Sequence, residues 1–127
     1  MRTVRVVNLA NGREIAARAA VASNLWTRGR GLLGRKSLPE GEGLVIESCR
    51  QIHMFFMGFP IDVLHVKRQS PTEGEVTRVL HAIKPNRIGP WVRRSDYVIE
   101  LPAGTAARTG TAAGHRIALQ PASSAEC

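Results

Sequence analysis

The residue types best suited to chemistry lie between Cys49 and His65. This stretch holds Cys49, His53, Asp62 and His65 within seventeen positions. Thiolate, imidazole and carboxylate are together enough donor types for a transition-metal site. The same side chains could also serve nucleophilic catalysis, so the two kinds of site have to be weighed against each other.

A metal site is one interpretation of this stretch. Met54 and Met57 would add thioether sulfurs, which favour copper(I). The spacing, however, contains no Cys-x-x-Cys pair and no His-x-x-x-His on a helix. If the segment is extended, His53 and Met54 point to opposite faces and cannot bind one ion. We therefore predict no bound metal and no cofactor.

A catalytic triad is the second interpretation, with Cys49 as nucleophile, His53 as base and Asp62 orienting the imidazole. It would make the protein a hydrolase- or transferase-type enzyme. That chemistry needs a lowered thiol pKa and an oxyanion pocket. A single cysteine near a short strand is more often a small buried hydrophobe, so we favour a function without catalysis.

Asp62 also has a structural interpretation, which we favour. It stands between the apolar pairs Pro60-Ile61 and Val63-Leu64. A carboxylate buried there must accept backbone N–H groups or pair with an arginine, because an unpaired buried charge costs several kcal/mol. The arginines available as partners are Arg28, Arg30 and Arg35.

The chain is strongly basic. Eighteen Lys and Arg against ten Asp and Glu leave a net charge of +8, and all but three of the cations are arginine. The planar guanidinium suits phosphate and carboxylate, so the composition favours an anionic partner. A solvated cationic surface without any such partner is the alternative.

The cations form two clusters in the sequence. The first comprises Arg28, Arg30, Arg35 and Lys36, and the second comprises Lys84, Arg87, Arg93 and Arg94 around Trp91. An exposed tryptophan beside guanidinium groups would suit stacking on a nucleobase, with arginine holding the phosphate. We favour the other interpretation, in which Trp91 is buried beneath its loop and the cations are solvated.

The elements that position these residues are mostly strands. Residues 4–9 and 14–21 alternate in polarity around Asn11-Gly12, the dipeptide best suited to a tight hairpin turn. A short helix is predicted from Ser23 to Leu33, and one helical turn at 105–108. Further strands are predicted at residues 44–46, 61–66, 76–83, 97–101 and 115–119.

Short strands separated by turn signals indicate a mainly β (α+β) fold, either a small β-sandwich or a partly closed barrel with one short helix packed on it. We expect one domain over residues 1–121 and a flexible tail at 122–127. Charge interrupts the N-terminal apolar run, and the chain holds two cysteines. We therefore expect a soluble, cytoplasmic protein without a membrane segment.

Three ordered phrases carry a family resemblance: RGRGLLGR at 28–35, HMFFMGFPIDV at 53–63 and VIELPAG at 98–104. Together they resemble the domain-of-unknown-function family 192, small prokaryotic proteins with a compact, mostly β fold. The resemblance covers roughly residues 3–120. It implies the architecture, and it brings no reaction, cofactor or partner.

The sequence thus predicts a binding or accessory domain that is not catalytic. The expected ligand is a small anion or a protein segment, held on a concave surface where apolar and arginine side chains meet. Nucleic acid is a less favoured partner. The predicted ligand-binding residues are His53, Phe56, Asp62, Arg28, Arg30 and Arg35.

Overall fold

Seven β-strands and one short helix make up the part of the chain that the computed structural model describes, residues 2–22, 37–55 and 57–122. The strands are β1 (Arg2–Asn8), β2 (Glu14–Ala22), β3 (Glu42–Glu47), β4 (Ile61–Arg68), β5 (Glu73–Ile83), β6 (Tyr97–Pro102) and β7 (Arg116–Pro121). The helix is α1 (Thr105–Thr109). The expected class, mainly β with a short helix, is confirmed.

The strands close into one barrel in the order β1-β2-β3-β6-β4-β5-β7, with β7 pairing back onto β1. Every pair is antiparallel except β2–β3. A parallel pair cannot be joined by a tight turn, so the chain between β2 and β3 is long. Of the two architectures that the sequence predicts, the barrel is correct, and its sheet has no open edge.

The individual elements follow the sequence closely. The first hairpin turns where Gly12 takes a φ of 75°, a conformation that glycine adopts without steric cost. The helical turn predicted at 105–108 is α1. The helix predicted from Ser23 to Leu33 lies outside the described residues, as do residues 123–127 of the predicted tail.

The barrel has two apolar cores, one on each face of its wall. The interior core takes side chains from all seven strands, among them Val6, Val45 and Ile117. The outer core lies on the other face of the wall, where Val63 and Val98 contribute to it. Because β4 and β6 are buried on both faces, their sequences are nearly continuous apolar runs rather than alternating ones.

Gly74→Ala tests how tightly the β5 backbone approaches its neighbours. A Cβ at this position would lie 2.5 Å from Val66 Cγ1, 2.9 Å from Tyr97 Oη and 3.0 Å from Lys67 O. We expect the substitution to lower the free energy of unfolding by about 1–3 kcal/mol, because the core must shift to admit the methyl group. Urea denaturation measures this. Gly12→Ala, where nothing lies within 4 Å of the Cβ but a φ of 75° strains alanine, shows the cost of backbone strain without a clash. A loss at Gly74 of less than about 1 kcal/mol would contradict the prediction.

Candidate anion-binding surface

Two irregular segments pair with each other over the outer core. Backbone hydrogen bonds join Met54 N to Arg87 O (2.7 Å), Asn86 N to Met54 O (2.8 Å), Gly89 N to Ile52 O (2.9 Å) and Val92 N to Arg50 O (2.8 Å). We call residues 50–55 and 84–94 together the basic cover. These bonds hold two segments that are distant in sequence side by side on one surface.

Side chains alternate along the first segment of the cover. Ile52 and Met54 are buried in the outer core, while His53 and Phe55 face solvent. The exposed rings stack on each other, with centroids 5.3 Å apart and an angle of 29° between their planes. The prediction that His53 and Met54 point to opposite faces is confirmed.

The basic cover carries cations and no carboxylates. No Asp or Glu occurs in residues 49–60 or 82–95. The exposed cations of the cover are Arg50, Lys84, Arg87, Arg93 and Arg94. Only Arg94 forms an ion pair with a described residue, at 3.6 Å from Glu75. The other four cations have no ion pair within the part of the chain that the structure describes.

The cover also concentrates exposed hydrophobic side chains. Four large ones are exposed in the described parts of the chain: Leu9 (44%), Phe55 (40%), Ile88 (60%) and Trp91 (65%). Three of the four are on the cover, where Ile88 also pairs with His53 across an isolated bridge. Single exposed hydrophobics are ordinary, so the concentration of three on the cover makes it the candidate site.

Trp91 stands at a cleft of about 550 Å³ between the cover and β5. Glu75, Thr77 and Arg78 of β5 line one wall, and Trp91 and Arg93 belong to the other. The expectation that Trp91 is buried under its loop is wrong, because its segment pairs with residues 50–55 and uses Val92 instead as the buried anchor. We refer to this site as the Trp91 cleft.

A second, larger groove of about 990 Å³ lies where β3 and β4 end. Arg50 and Arg68 line it together with Glu47 and Asp96. Arg68 lies 3.7 Å from Glu47, and Lys67 lies 3.3 Å from Asp96. Because its carboxylates are already paired with cations, this groove has less free positive charge than the Trp91 cleft.

Asp62 and His53, two of the predicted binding residues, lie apart. Asp62 is fully buried: Oδ1 accepts the Ala82 N–H at 2.8 Å and Oδ2 accepts the Ala106 N–H at 2.9 Å. His53 is exposed on the cover, and neither residue lines the cleft or the groove. Phe56, Arg28, Arg30 and Arg35 lie outside the described residues. The geometry of Asp62 matches the structural role in which its carboxylate accepts backbone N–H groups.

The proposed Cys49–His53–Asp62 triad is not assembled. Cys49 Sγ donates to Gln51 O at 3.4 Å, and His53 stacks on Phe55. Both oxygens of Asp62 are occupied by backbone N–H groups, so none is aimed at an imidazole. Nor does any group of three His, Cys, Asp or Glu come together for a metal within the described ranges.

His65 is buried beneath the loop before β6. Its Nδ1 lies 2.8 Å from Ser95 Oγ, which donates its hydrogen to Cys49 O at 2.7 Å. The hydrogen between the two side chains therefore belongs to Nδ1. Burial, with a smaller contribution from the charge of Arg78, lowers the pKa of His65 to about 4. The imidazole is therefore neutral at pH 7. Through Ser95 and Cys49 it links β4 to the residues that adjoin the two segments of the cover.

Two residues of interest were missed in the sequence. Arg78, opposite His65 in the β4–β5 register, brings a third arginine to the cleft. Glu100 is buried on the outer face between Leu44 and Val63, and burial raises its pKa to about 7. Glu100 could have been found as the single acidic residue in the apolar run YVIEL. No local sequence pattern distinguishes Arg78.

Comparisons with known proteins agree on the fold. The sequence model of DUF192, described as an uncharacterized ACR, matches residues 6–119. A crystal structure from Sinorhizobium meliloti 1021, named a "putative transcription regulator", is 23% identical with a TM-score of 0.77, covering 93% of this chain and 92% of that one. A protein of unknown function from Novosphingobium aromaticivorans DSM 12444 is 21% identical with a TM-score of 0.74, covering 91% and 82%. No curated protein matches.

Likeness at these identities shows the shared barrel and nothing about ligands. No helix among the described residues is long and apolar enough to span a membrane. Any functional assignment must therefore come from the surface itself, and the basic cover is its most distinctive part.

Proposed function

Because the chain belongs to the DUF192 family, which is described only as uncharacterized, we propose a function from the site alone: it is a non-catalytic binding domain for an anionic ligand that carries a planar aromatic group. The ligand would lie on the basic cover, with its ring against Trp91 and its charge against the arginines of the Trp91 cleft. This retains the predicted anionic ligand and moves its site away from Asp62.

One observation carries the proposal. On two segments that carry no carboxylate of their own, three exposed hydrophobic side chains lie among four cations that have no ion pair with a described residue. Exposing an indole to water is unfavourable, and leaving like charges together is unfavourable as well. An aromatic anion would relieve both costs at once, because indole and guanidinium both bind planar rings and arginine also binds anions.

The Trp91 cleft is favoured over the larger groove on charge. Arg78 and Arg93 make no ion pair with a described residue, so the cleft has two free guanidinium groups beside an exposed ring. In the groove, an incoming anion would compete with Glu47 and Asp96 for the same cations. In the cleft, the lining carboxylate of Glu75 is paired with Arg94, so an anion on Arg78 and Arg93 does not compete for that pair.

Titration with adenosine monophosphate, followed by ¹H–¹⁵N NMR at low ionic strength, tests the proposal. Inorganic pyrophosphate supplies charge without a ring, and adenosine supplies a ring without charge. We expect saturable shifts at Trp91 and Arg93 with the nucleotide, and weaker binding of both comparison probes. Absence of saturation at a ligand concentration on the order of millimolar would contradict the proposal.

A pair of charge reversals separates a local site from the overall charge. Arg93→Glu and Arg18→Glu each change the net charge by the same amount, and Arg18 is an exposed cation on β2, outside the cover. We expect Arg93→Glu to weaken nucleotide binding by about three- to tenfold, and Arg18→Glu to change it by less than about twofold. Equal losses in the two variants would mean that only net charge attracts the ligand.

A further inference from the structure

The cover holds two separate aromatic platforms. Trp91 is the first, and the stacked pair of His53 and Phe55 is the second. They belong to different segments, which the backbone bonds from Arg50 to Val92 and from Met54 to Asn86 and Arg87 hold in register. Main-chain pairing therefore sets the relative position of the two segments that carry the platforms.

The spacing of the platforms exceeds one nucleotide base. Val92 N–H bonds to Arg50 O, so Trp91 lies across from residues 50–51, about four residues along the segment from Phe55. At about 3.3 Å per residue of extended chain, Trp91 is roughly 8 Å from His53 and roughly 13 Å from Phe55. A mononucleotide placed on Trp91 leaves the second platform and the cations near it unused.

The cations flank the two platforms. Arg93 and Arg94 adjoin Trp91, whereas Lys84 and Arg87 lie on the segment beside Phe55, and Arg50 is on the opposite segment. The two segments carry no carboxylate of their own, and Glu75 of β5 pairs with Arg94. A linear ligand with repeating anionic groups and flat rings matches this pattern along its length.

We propose that the basic cover binds single-stranded nucleic acid, with one base on Trp91, another on the His53–Phe55 pair, and phosphates on the cations that flank the two platforms. This rests on the proposed function, and it names the ligand class. Bases in a duplex are stacked on each other and offer no free face, so unpaired strands are the form that both platforms accept. An acidic peptide would satisfy the cations but leave both rings without a stacking partner.

Fluorescence anisotropy with labelled single-stranded oligonucleotides of about 4–16 nucleotides tests this, since that range covers site sizes on small β-barrel domains. Parallel arms use DNA, RNA, a duplex of the same sequence, polyglutamate and inorganic polyphosphate. We expect either single strand to bind more tightly than the duplex and than the two polyanions without bases. The DNA and RNA arms identify which strand is preferred.

The variants report on the platforms separately. Trp91→Ala and Phe55→Ala should each weaken oligonucleotide binding by about five- to a hundredfold, the range for loss of one stacked base. Trp91→Phe should restore most of the loss, and thermal unfolding checks that the exposed sites leave the fold intact. Leu9→Ala, at the exposed hydrophobic outside the cover, is the matched control and should change nothing.

Salt dependence adds an independent readout. For single strands, the slope of log K against log salt is about −0.7 for each phosphate contact, so Arg93→Glu should make the slope shallower by about 0.7 or more. Arg18→Glu should leave it unchanged.

The outcomes distinguish this inference from the proposed function. If adenosine monophosphate binds at Trp91 but an oligonucleotide gains nothing over it and Phe55→Ala has no effect, the nucleic-acid inference fails and the proposed function stands. The inference also fails if polyglutamate or polyphosphate binds as tightly as the oligonucleotide, and Trp91→Ala and Phe55→Ala leave oligonucleotide affinity unchanged. If neither the mononucleotide nor any polyanion binds, both fail.

Discussion

Asp62→Ala is expected to lower the free energy of unfolding by about 4 kcal/mol. The variant leaves the N–H groups of Ala82 and Ala106 without their acceptor. A hydrogen bond to a charged group contributes about 1.5–3 kcal/mol, and of the two donors Ala106 N–H is left buried while Ala82 N–H is only partly buried. Ala82 has a positive φ of 48° where the β4–β5 register shifts, and Ala106 is in the first turn of α1. One carboxylate therefore stabilises a strand irregularity and a helix terminus together.

Urea denaturation of Asp62→Ala and of a matched variant, Asp96→Ala, tests this by comparing their free energies of unfolding. The Asp96 carboxylate also accepts a backbone N–H, from Arg68 at 2.8 Å, but its side chain is 31% exposed and pairs with Lys67. Water can replace it, so we expect a loss of only about 1 kcal/mol. Equal losses in the two variants would contradict the structural role of Asp62. A folded Asp62→Ala that loses nucleotide binding specifically would favour the predicted ligand contact instead.

Local patterns predicted the barrel elements well, and the reasons are physical. Asn11-Gly12 encodes its own turn, because few residues tolerate positive φ. The apolar runs of β4 and β6 report burial on both faces. Whether the sheet closes into a barrel depends on pairing between strands that are far apart in sequence. The sequence therefore left sandwich and barrel open.

The site was harder to predict because it depends on long-range pairing. Residues 50–55 and 84–94 are separated by two strands, and only their pairing makes one surface of them. The exposure of Trp91 follows from that pairing, which buries Val92 in its place. The second basic cluster is visible in the sequence. The exposure of the tryptophan at its centre is not, because it depends on that pairing.

His53 shows how one residue type admits several roles. Its type suggested a base or a metal ligand, and strand alternation correctly separated it from Met54. Its neighbour two positions on, Phe55, places a second ring on the same face. The pair forms an aromatic surface rather than a proton-transfer site. The spacing of two rings by two residues on an extended segment is the sequence pattern that could have predicted this pair.

Two buried groups are expected to give opposing pH dependences of stability. Glu100 has a folded pKa of about 7 against an ordinary value of 4.5, so the folded state binds more protons than the unfolded state between these pH values. Its contribution to stability therefore falls as pH rises from 4.5 to 7. His65 has a folded pKa of about 4 against 6.5, so the folded state binds fewer protons there, and its contribution rises over that interval.

The two slopes nearly cancel between pH 4.5 and 6.5, since each shift corresponds to roughly 3 kcal/mol. Glu100→Gln should remove the contribution to stability that falls as pH rises. We expect it to be more stable than the wild type by up to about 3 kcal/mol at pH 8, with the gain vanishing towards pH 4.5. In this variant, stability should rise steadily with pH from 4 to 6.5, because only the His65 contribution remains.

Urea denaturation from pH 4.5 to 8 measures this for the wild type, Glu100→Gln and His65→Gln. His65→Gln should show the opposite slope, with stability falling as pH rises towards 7. Glu40→Gln, where the carboxylate is 74% exposed, is the control for removing one acid from the surface. A gain in Glu100→Gln that is the same at every pH would mean that improved packing, and not the buried proton, sets the difference. A gain that grows with pH would identify Glu100 as a carboxyl that the outer core holds in its neutral form.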